Sequence, residues 1–118
     1  MKMISVLTTA VLILALSTIA TLASEIPSGS YSSWTQAQQQ QAANALKEKC
    51  GNTCSSYTQR AQDGSMRASY EASACTIACF VNNLPDDYPG LDSLKKSAQQ
   101  NYKQAKDLGS NIPVFVNK

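Results

Sequence analysis

Two cysteine pairs with the same spacing constrain this 118-residue chain more than any other feature. The segments CGNTC (residues 50–54) and CTIAC (residues 75–79) each place three residues between their cysteines. A thioredoxin-like redox site has two intervening residues, and zinc sites built from cysteine favour that spacing too. The chain contains no histidine, which removes mixed cysteine–histidine zinc sites. We therefore expect structural disulfides, with no metal and no cofactor.

The positions of the cysteines predict which of them pair. Residues four apart share one face of a helix, and a bridge within one helix fits disulfide geometry poorly. The midpoint of Cys54 and Cys75 coincides with that of Cys50 and Cys79, between residues 64 and 65, at the turn signal Asp-Gly-Ser. Two antiparallel helices folding back there would form Cys50–Cys79 and Cys54–Cys75. The inner bridge should contribute about 3 kcal/mol in the chain-entropy model.

The first 23 residues have the pattern of a secretory signal peptide. Lys2 precedes an apolar run from Met3 to Leu22, and cleavage is predicted after Ala23, with Ala20 as the second choice. An uncleaved membrane anchor is the alternative, which the Ser and Thr content of the run disfavours. We expect a mature chain of residues 24–118, one extracellular domain in which disulfides persist, with no stable membrane insertion once the signal is removed.

The rest of the chain predicts an all-α, disulfide-stapled bundle of about three helices. After a loose leader (24–33), helix one should begin near Trp34 with Ser33 as its N-cap and Gln36 completing a capping box. We expect one helix, straight or bent, to continue through the interruption at Gly51-Asn52, because its apolar stripe keeps phase to the second cysteine and beyond. The stripe consists of Ala42, Leu46, Cys50, Cys54, Tyr57 and Ala61.

Two further helices should follow. Helix two spans about 65–83, with Ser65 as N-cap and Pro85 stopping it, and its two apolar stripes predict packing on two sides. Helix three spans about 91–108, ends before Gly109, and is the expected cover for the second stripe. The apolar tail (112–118) should be extended, either packed across the helices or exposed as a contact site.

Composition argues against several classes of function. Without Lys2, the chain carries nine Lys and Arg and eight Asp and Glu, in no basic stripe, so we expect no nucleic-acid partner. Without histidine there is no Ser-His-Asp or Cys-His pair, and the adjacent carboxylates Asp86 and Asp87 lie in a turn. We expect a protein that is not an enzyme.

Binding to another protein is the function that the sequence favours. Aromatic residues at exposed edges are common anchors of interfaces, although half-buried packing at helix ends is an equal alternative. The candidate contact residues are Tyr31, Trp34, Tyr88, Val114 and Phe115. We expect a monomer that meets a host or target protein through these residues.

Two other functions are open to a chain of this kind. A membrane-active or channel-directed helical-hairpin toxin or antimicrobial would also carry stapled helices, although near-neutral charge and short Ala-rich faces disfavour a pore former. A carrier of small hydrophobic ligands is the other alternative. The narrow, Ala-lined stripes of this chain disfavour a carrier, because they provide few side chains to line a cavity of about 300 Å³.

The layout of the chain resembles a known group of secreted proteins. A signal peptide, about a hundred helical residues and the cysteines Cys50, Cys54, Cys75 and Cys79 in two pairs resemble small salivary proteins of blood feeders, of the anophensin/albicin type from mosquitoes. The resemblance implies a secreted salivary or venom inhibitor of host plasma cascades. Its target would be the alternative complement pathway or the contact (kallikrein–kinin) system.

Overall fold

The computed structural model describes residues 25–117, and the predicted signal segment lies outside them. Within that range a 3₁₀ turn at Tyr31–Ser33 precedes four α-helices, and there is no strand. The helices are α1 (Gln36–Thr53), α2 (Ser55–Ala61), α3 (Met66–Asn83) and α4 (Leu91–Asp107). The all-α, disulfide-stapled fold class is confirmed, with four helices in place of about three.

Both predicted bridges are present. Cys50 pairs with Cys79 and Cys54 with Cys75, with Cα–Cα distances of 5.6 and 5.9 Å. All four half-cystines are buried and belong to one apolar cluster with Leu46, Val81, Leu84 and Leu91. The hairpin turns at Gly64, whose φ of 82° is a backbone conformation that glycine adopts readily.

The first predicted helix is two helices divided at Cys54, where one helix, straight or bent, was expected. Cys54 lies between α1 and α2 with φ −104° and ψ 12°. The Thr53 hydroxyl donates to the Lys49 carbonyl at 2.9 Å, and the Thr58 hydroxyl donates to the Cys54 carbonyl at 3.2 Å. Such hydroxyl bonds to the preceding turn compete with the helix and bend it. The apolar stripe stays in phase because the break adds no residue.

The start of α1 also differs from the prediction. The N-cap is Thr35, not Ser33, and the capping box uses Gln38 instead of Gln36. The Thr35 hydroxyl accepts from the Gln38 N–H at 3.2 Å, and the Gln38 side chain accepts from the Thr35 N–H at 2.9 Å. Ser33 instead closes the 3₁₀ turn by donating its hydroxyl to the Ser30 carbonyl at 2.6 Å.

Helix α3 lies at the centre and packs on both sides, as its two stripes predicted. One side faces α1 and α2, and the other faces α4. Ser65 caps α3 by accepting from the Ala68 N–H. Small side chains form much of the contact with α4. Ala74, Ala78, Ala98 and Ala105 are at most 2% exposed. Alanines on facing helices allow the helix axes to approach closely.

The C-terminal end of α4 turns the chain back toward α3. The Ser110 N–H bonds to the Ala105 carbonyl and the Gly109 N–H to the Lys106 carbonyl, with Gly109 at φ 91°. This is the Schellman arrangement that a glycine after the last turn predicts. It directs Ser110 and Ile112 into buried positions beside α3 and starts the tail across the bundle.

Candidate contact surface

The N-terminal segment is held against the bundle, which corrects the expectation of a loose leader at 24–33. Ile26 packs against the main apolar cluster, and the Gln41 side chain donates to the Glu25 carbonyl at 2.8 Å. The Asp87 carboxylate accepts from the backbone N–H groups of Tyr31 at 2.6 Å and Ser32 at 3.0 Å. These two N–H groups, Tyr31 first, hold the pKa of Asp87 below its usual value.

Three of the five candidate contact residues come together at this segment. The Tyr31 ring lies 5.8 Å from Trp34 and 5.2 Å from Tyr88, centre to centre. Trp34 is only 7% exposed, and its indole N–H donates to the Ser28 carbonyl at 3.1 Å. Trp34 therefore contributes to packing and offers almost no surface to a partner, while Tyr31 and Tyr88 are half-buried.

The other two candidates lie in the tail, on different sides of it. Phe115 is half-buried and packs edge-on against Tyr57 with ring centres 5.7 Å apart. Both rings contact the main apolar cluster and a second, smaller one formed by Ala74, Ala105 and Ile112. Phe115 therefore links the two clusters. Val114 is 67% exposed. The tail is thus packed through Phe115 and exposed through Val114, which combines the two alternatives that the sequence left open.

A single side chain on α3 fastens the tail. The Asn82 amide donates to the Phe115 carbonyl at 2.6 Å and accepts from the Asn117 N–H at 2.8 Å. A β-strand neighbour makes the same two bonds to residues i and i+2 of an extended chain. Asn82 therefore replaces a strand partner on one edge of the tail.

Where the tail leaves α4 it forms one wall of an open groove of about 330 Å³, which we call the end groove. Its aromatic and charged side chains are Tyr57 and Arg60 from α2, and Arg67 and Glu71 from α3. Residues 109–113 close the other side. The two arginines lie on opposite sides of the hairpin turn, so the fold that brings the cysteines together also brings these side chains to one groove.

The end groove is polar and charged, although the charges of the chain as a whole are nearly balanced. The Arg60 guanidinium lies over the Tyr57 ring, 4.8 Å from its centre. Glu71 is only 6% exposed, and its carboxylate accepts from the Ser110 hydroxyl at 2.6 Å. The same hydroxyl accepts from the Ile112 N–H at 3.2 Å, so the carboxylate anchors the start of the tail. Both arginines are exposed at the rim.

Two exposed apolar side chains are chain neighbours of groove residues. Met66, next to Arg67, is 66% exposed, and Leu108, next to the groove residue Gly109, is 45% exposed. Arg60, Arg67 and Tyr57 are not among the contact residues predicted from the sequence. The signal that could have found them is the hairpin symmetry, which places residues 57–60 opposite the first turns of α3.

A second concave feature is much smaller than the end groove and is apolar. An apolar cavity between α3, α4 and the tail, beside Ala78 and Tyr102, holds about 30 Å³. In residues 25–117, no group of three or more His, Cys, Asp or Glu side chains could hold a metal ion. Over the same residues, no helix is long and apolar enough to cross a membrane.

Comparisons of the chain with protein families, with curated proteins and with solved structures found no match.

Proposed function

We propose that this protein is a secreted, non-enzymatic inhibitor that acts by binding a host plasma or defence protein through the end groove. The observation that carries the proposal is the groove itself, where Tyr57, Arg60 and Arg67 stand together on two helices joined by the Cys54–Cys75 bridge. Tyrosine and arginine are the residue types that most often dominate binding energy at interfaces.

Rigidity of the scaffold supports the same proposal. The Cys54–Cys75 bridge ties the start of α2 to α3, the two helices that carry the groove side chains, and Cys50–Cys79 ties α1 to the same helix. The backbone of the groove is therefore fixed before a partner binds, which lowers the ordering cost of binding. The two arginines outnumber the single buried carboxylate of Glu71 in the groove, which favours an acidic group on the partner. Two disulfides within a small domain fit an extracellular setting.

The resemblance to blood-feeder salivary proteins suggests which partners to test. The proposed targets are a protein of the alternative complement pathway or of the contact (kallikrein–kinin) system. The apolar cavity holds only about 30 Å³, and the grooves of about 330, 350 and 430 Å³ are open and carry polar side chains. None is the large, mostly apolar pocket that a hydrophobic-ligand carrier needs. A membrane-active protein would instead release dye from anionic vesicles, which the proposed inhibitor should not do.

The test is a pull-down from plasma with the oxidised mature protein, combined with complement haemolysis and kallikrein activity assays. We expect one plasma protein to be retained and one cascade to be inhibited. The double variant R60Q/R67Q should lower affinity for that protein at least about tenfold, since two interface arginines are removed.

The matched control is K96Q/K103Q, which removes the same charge from exposed positions on α4. We expect this variant to bind as the natural sequence does. Retention of no plasma protein would remove the inhibitor proposal. Equal loss in both double variants would show that net charge, and not the end groove, makes the contact.

A further inference from the structure

The tail has one satisfied backbone edge and one open edge. Backbone groups of successive residues in an extended chain point to opposite sides. The Phe115 carbonyl and the Asn117 N–H point to Asn82, so the N–H and C=O groups of Val114 and Val116 point away from α3. Within residues 25–117, no hydrogen bond involves these four groups.

The open edge has the properties of an unpaired edge strand, which can bond to a second strand. Valine favours extended structure, and Val114 is 67% exposed. Pro113, which has no N–H, shares the orientation of Phe115, so its missing donor falls on the Asn82 side. The open edge is therefore not protected by proline, the residue that natural proteins often use to block edge pairing.

We propose that the open edge of the tail pairs with the tail of a second copy of this chain to form a two-fold dimer. In an antiparallel arrangement centred on Phe115, Val114 of each copy lies opposite Val116 of the other. Both are hydrogen-bonded pairs that exchange two bonds each, so four N–H···O=C bonds join the copies. The edge is complementary to itself, as a two-fold interface requires.

The arrangement keeps the bonds that hold the tail to Asn82. The Phe115 residues face each other as a non-hydrogen-bonded pair, so the bond from Asn82 to each Phe115 carbonyl is kept. Because only short tails meet, the interface is at the small end of the known range and the dimer is weak. In this proposal the monomer expected from the sequence is the main species only in dilute solution.

The pairing is tested by sedimentation equilibrium of the oxidised mature protein over increasing concentration. We expect a monomer–dimer equilibrium. In V114P the outward N–H is lost from each copy, which removes two of the four bonds and should lower the association constant at least about tenfold. The matched control V114T keeps the N–H and a branched side chain, and should stay within about threefold of the natural protein.

A second measurement identifies the interface directly. In a sample that mixes isotope-labelled and unlabelled chains, NMR should show a contact between the Phe115 Hα protons of the two copies, which lie close in a non-hydrogen-bonded pair. A protein that stays monomeric at all soluble concentrations would overturn the proposal. So would a dimer that lacks this contact or that V114P does not weaken. None of these results depends on finding a plasma target.

Discussion

The two sides of helix α3 are joined to their neighbours by different means. We call α1, α2 and the side of α3 that faces them the bridged half, and α4, the tail and the other side of α3 the packed half. The bridged half is fixed by two disulfides among few large apolar side chains. The packed half contains no cysteine and depends on alanine contacts, on Val81 and Leu91 of the main apolar cluster, and on a few polar anchors.

The difference shows how a chain with few large apolar residues can still form a fixed bundle. A covalent bridge restricts the unfolded chain and so stabilises a contact that buries little surface. The contact between alanine faces is stabilised by close packing instead, and the packing must be good over the whole contact. The two halves should therefore respond to different perturbations.

Reduction of the bridges should have the largest effect, and it should fall on the bridged half. We expect thiol reductant to lower the free energy of unfolding by about 3 kcal/mol or more, measured as the shift of the urea midpoint. Hydrogen exchange should then show amides of α1 and α2 losing protection before those of α4. A variant with all four cysteines changed to serine serves as control, since reductant should not affect it. Simultaneous loss of protection in α4 would mean that the halves unfold as one unit.

Overpacking should be the next largest effect, and it should fall on the packed half. Ala105 is fully buried against α3, so A105L must push α4 away, at a cost of about 1–3 kcal/mol in urea unfolding. The control A43L adds the same side chain to an exposed position on α1 and should change stability by less than about 0.5 kcal/mol. If A105L is as stable as A43L, the alanine contact is looser than described.

Loss of the tail anchor should have a smaller and more local effect. N82A removes two hydrogen bonds, each worth about 1 kcal/mol, and should release residues 113–117 while the helices stay folded. NMR relaxation of tail amides measures the release. N101A is the matched control, because the Asn101 amide bonds only to Ser97 within its own helix. A tail as ordered in N82A as in N101A would show that Phe115 alone holds it.

Acidification should produce the smallest effect, at the N-terminal segment. Two backbone N–H groups lower the pKa of Asp87 in the folded protein, so its carboxylate stabilises the fold above the unfolded pKa of about 3.9. This contribution is lost as pH falls through the lower, folded pKa. Trp34 fluorescence should therefore report release of the segment at acidic pH, and D87N should show the released signal at neutral pH.

The control for Asp87 is D63N, which neutralises an exposed carboxylate in the turn between α2 and α3. It should leave the acid transition seen by Trp34 unchanged. A D87N protein whose fluorescence still follows the acid transition of the natural sequence would show that another group holds the segment.

Features encoded by local spacing were predicted well. The cysteine midpoints gave both bridges, Ser65 gave the start of α3, and Gly109 gave the end of α4. The start of α1 was misplaced because two overlapping capping boxes fit the sequence equally. Burial of Trp34 decides between them, and burial is a property of the whole fold.

Features that depend on distant partners could not be read from the sequence. Asn82 holds the tail across 33 residues, and Glu71 meets Ser110 across 39. Nothing local marks either side chain as different from other polar residues on a helix. The leader was expected to be loose for the same reason, since its anchor Asp87 lies 56 residues beyond Tyr31. The end groove itself combines residues from both sides of the hairpin turn.

Burial of the half-cystines decides the order in which a reductant can attack them. Each bridge has one enclosed half-cystine, Cys50 or Cys54, and one that lines the groove beside Asn82. In that groove Cys79 of the outer bridge is 9% exposed and Cys75 of the inner bridge 4%. Thiol exchange requires direct access of the attacking thiolate to a sulfur atom. The outer bridge should therefore open first, leaving for a time a species held by Cys54–Cys75 alone. The lifetime of that species in a reducing environment depends on how often the hairpin opens, and it sets how long the protein keeps its shape there.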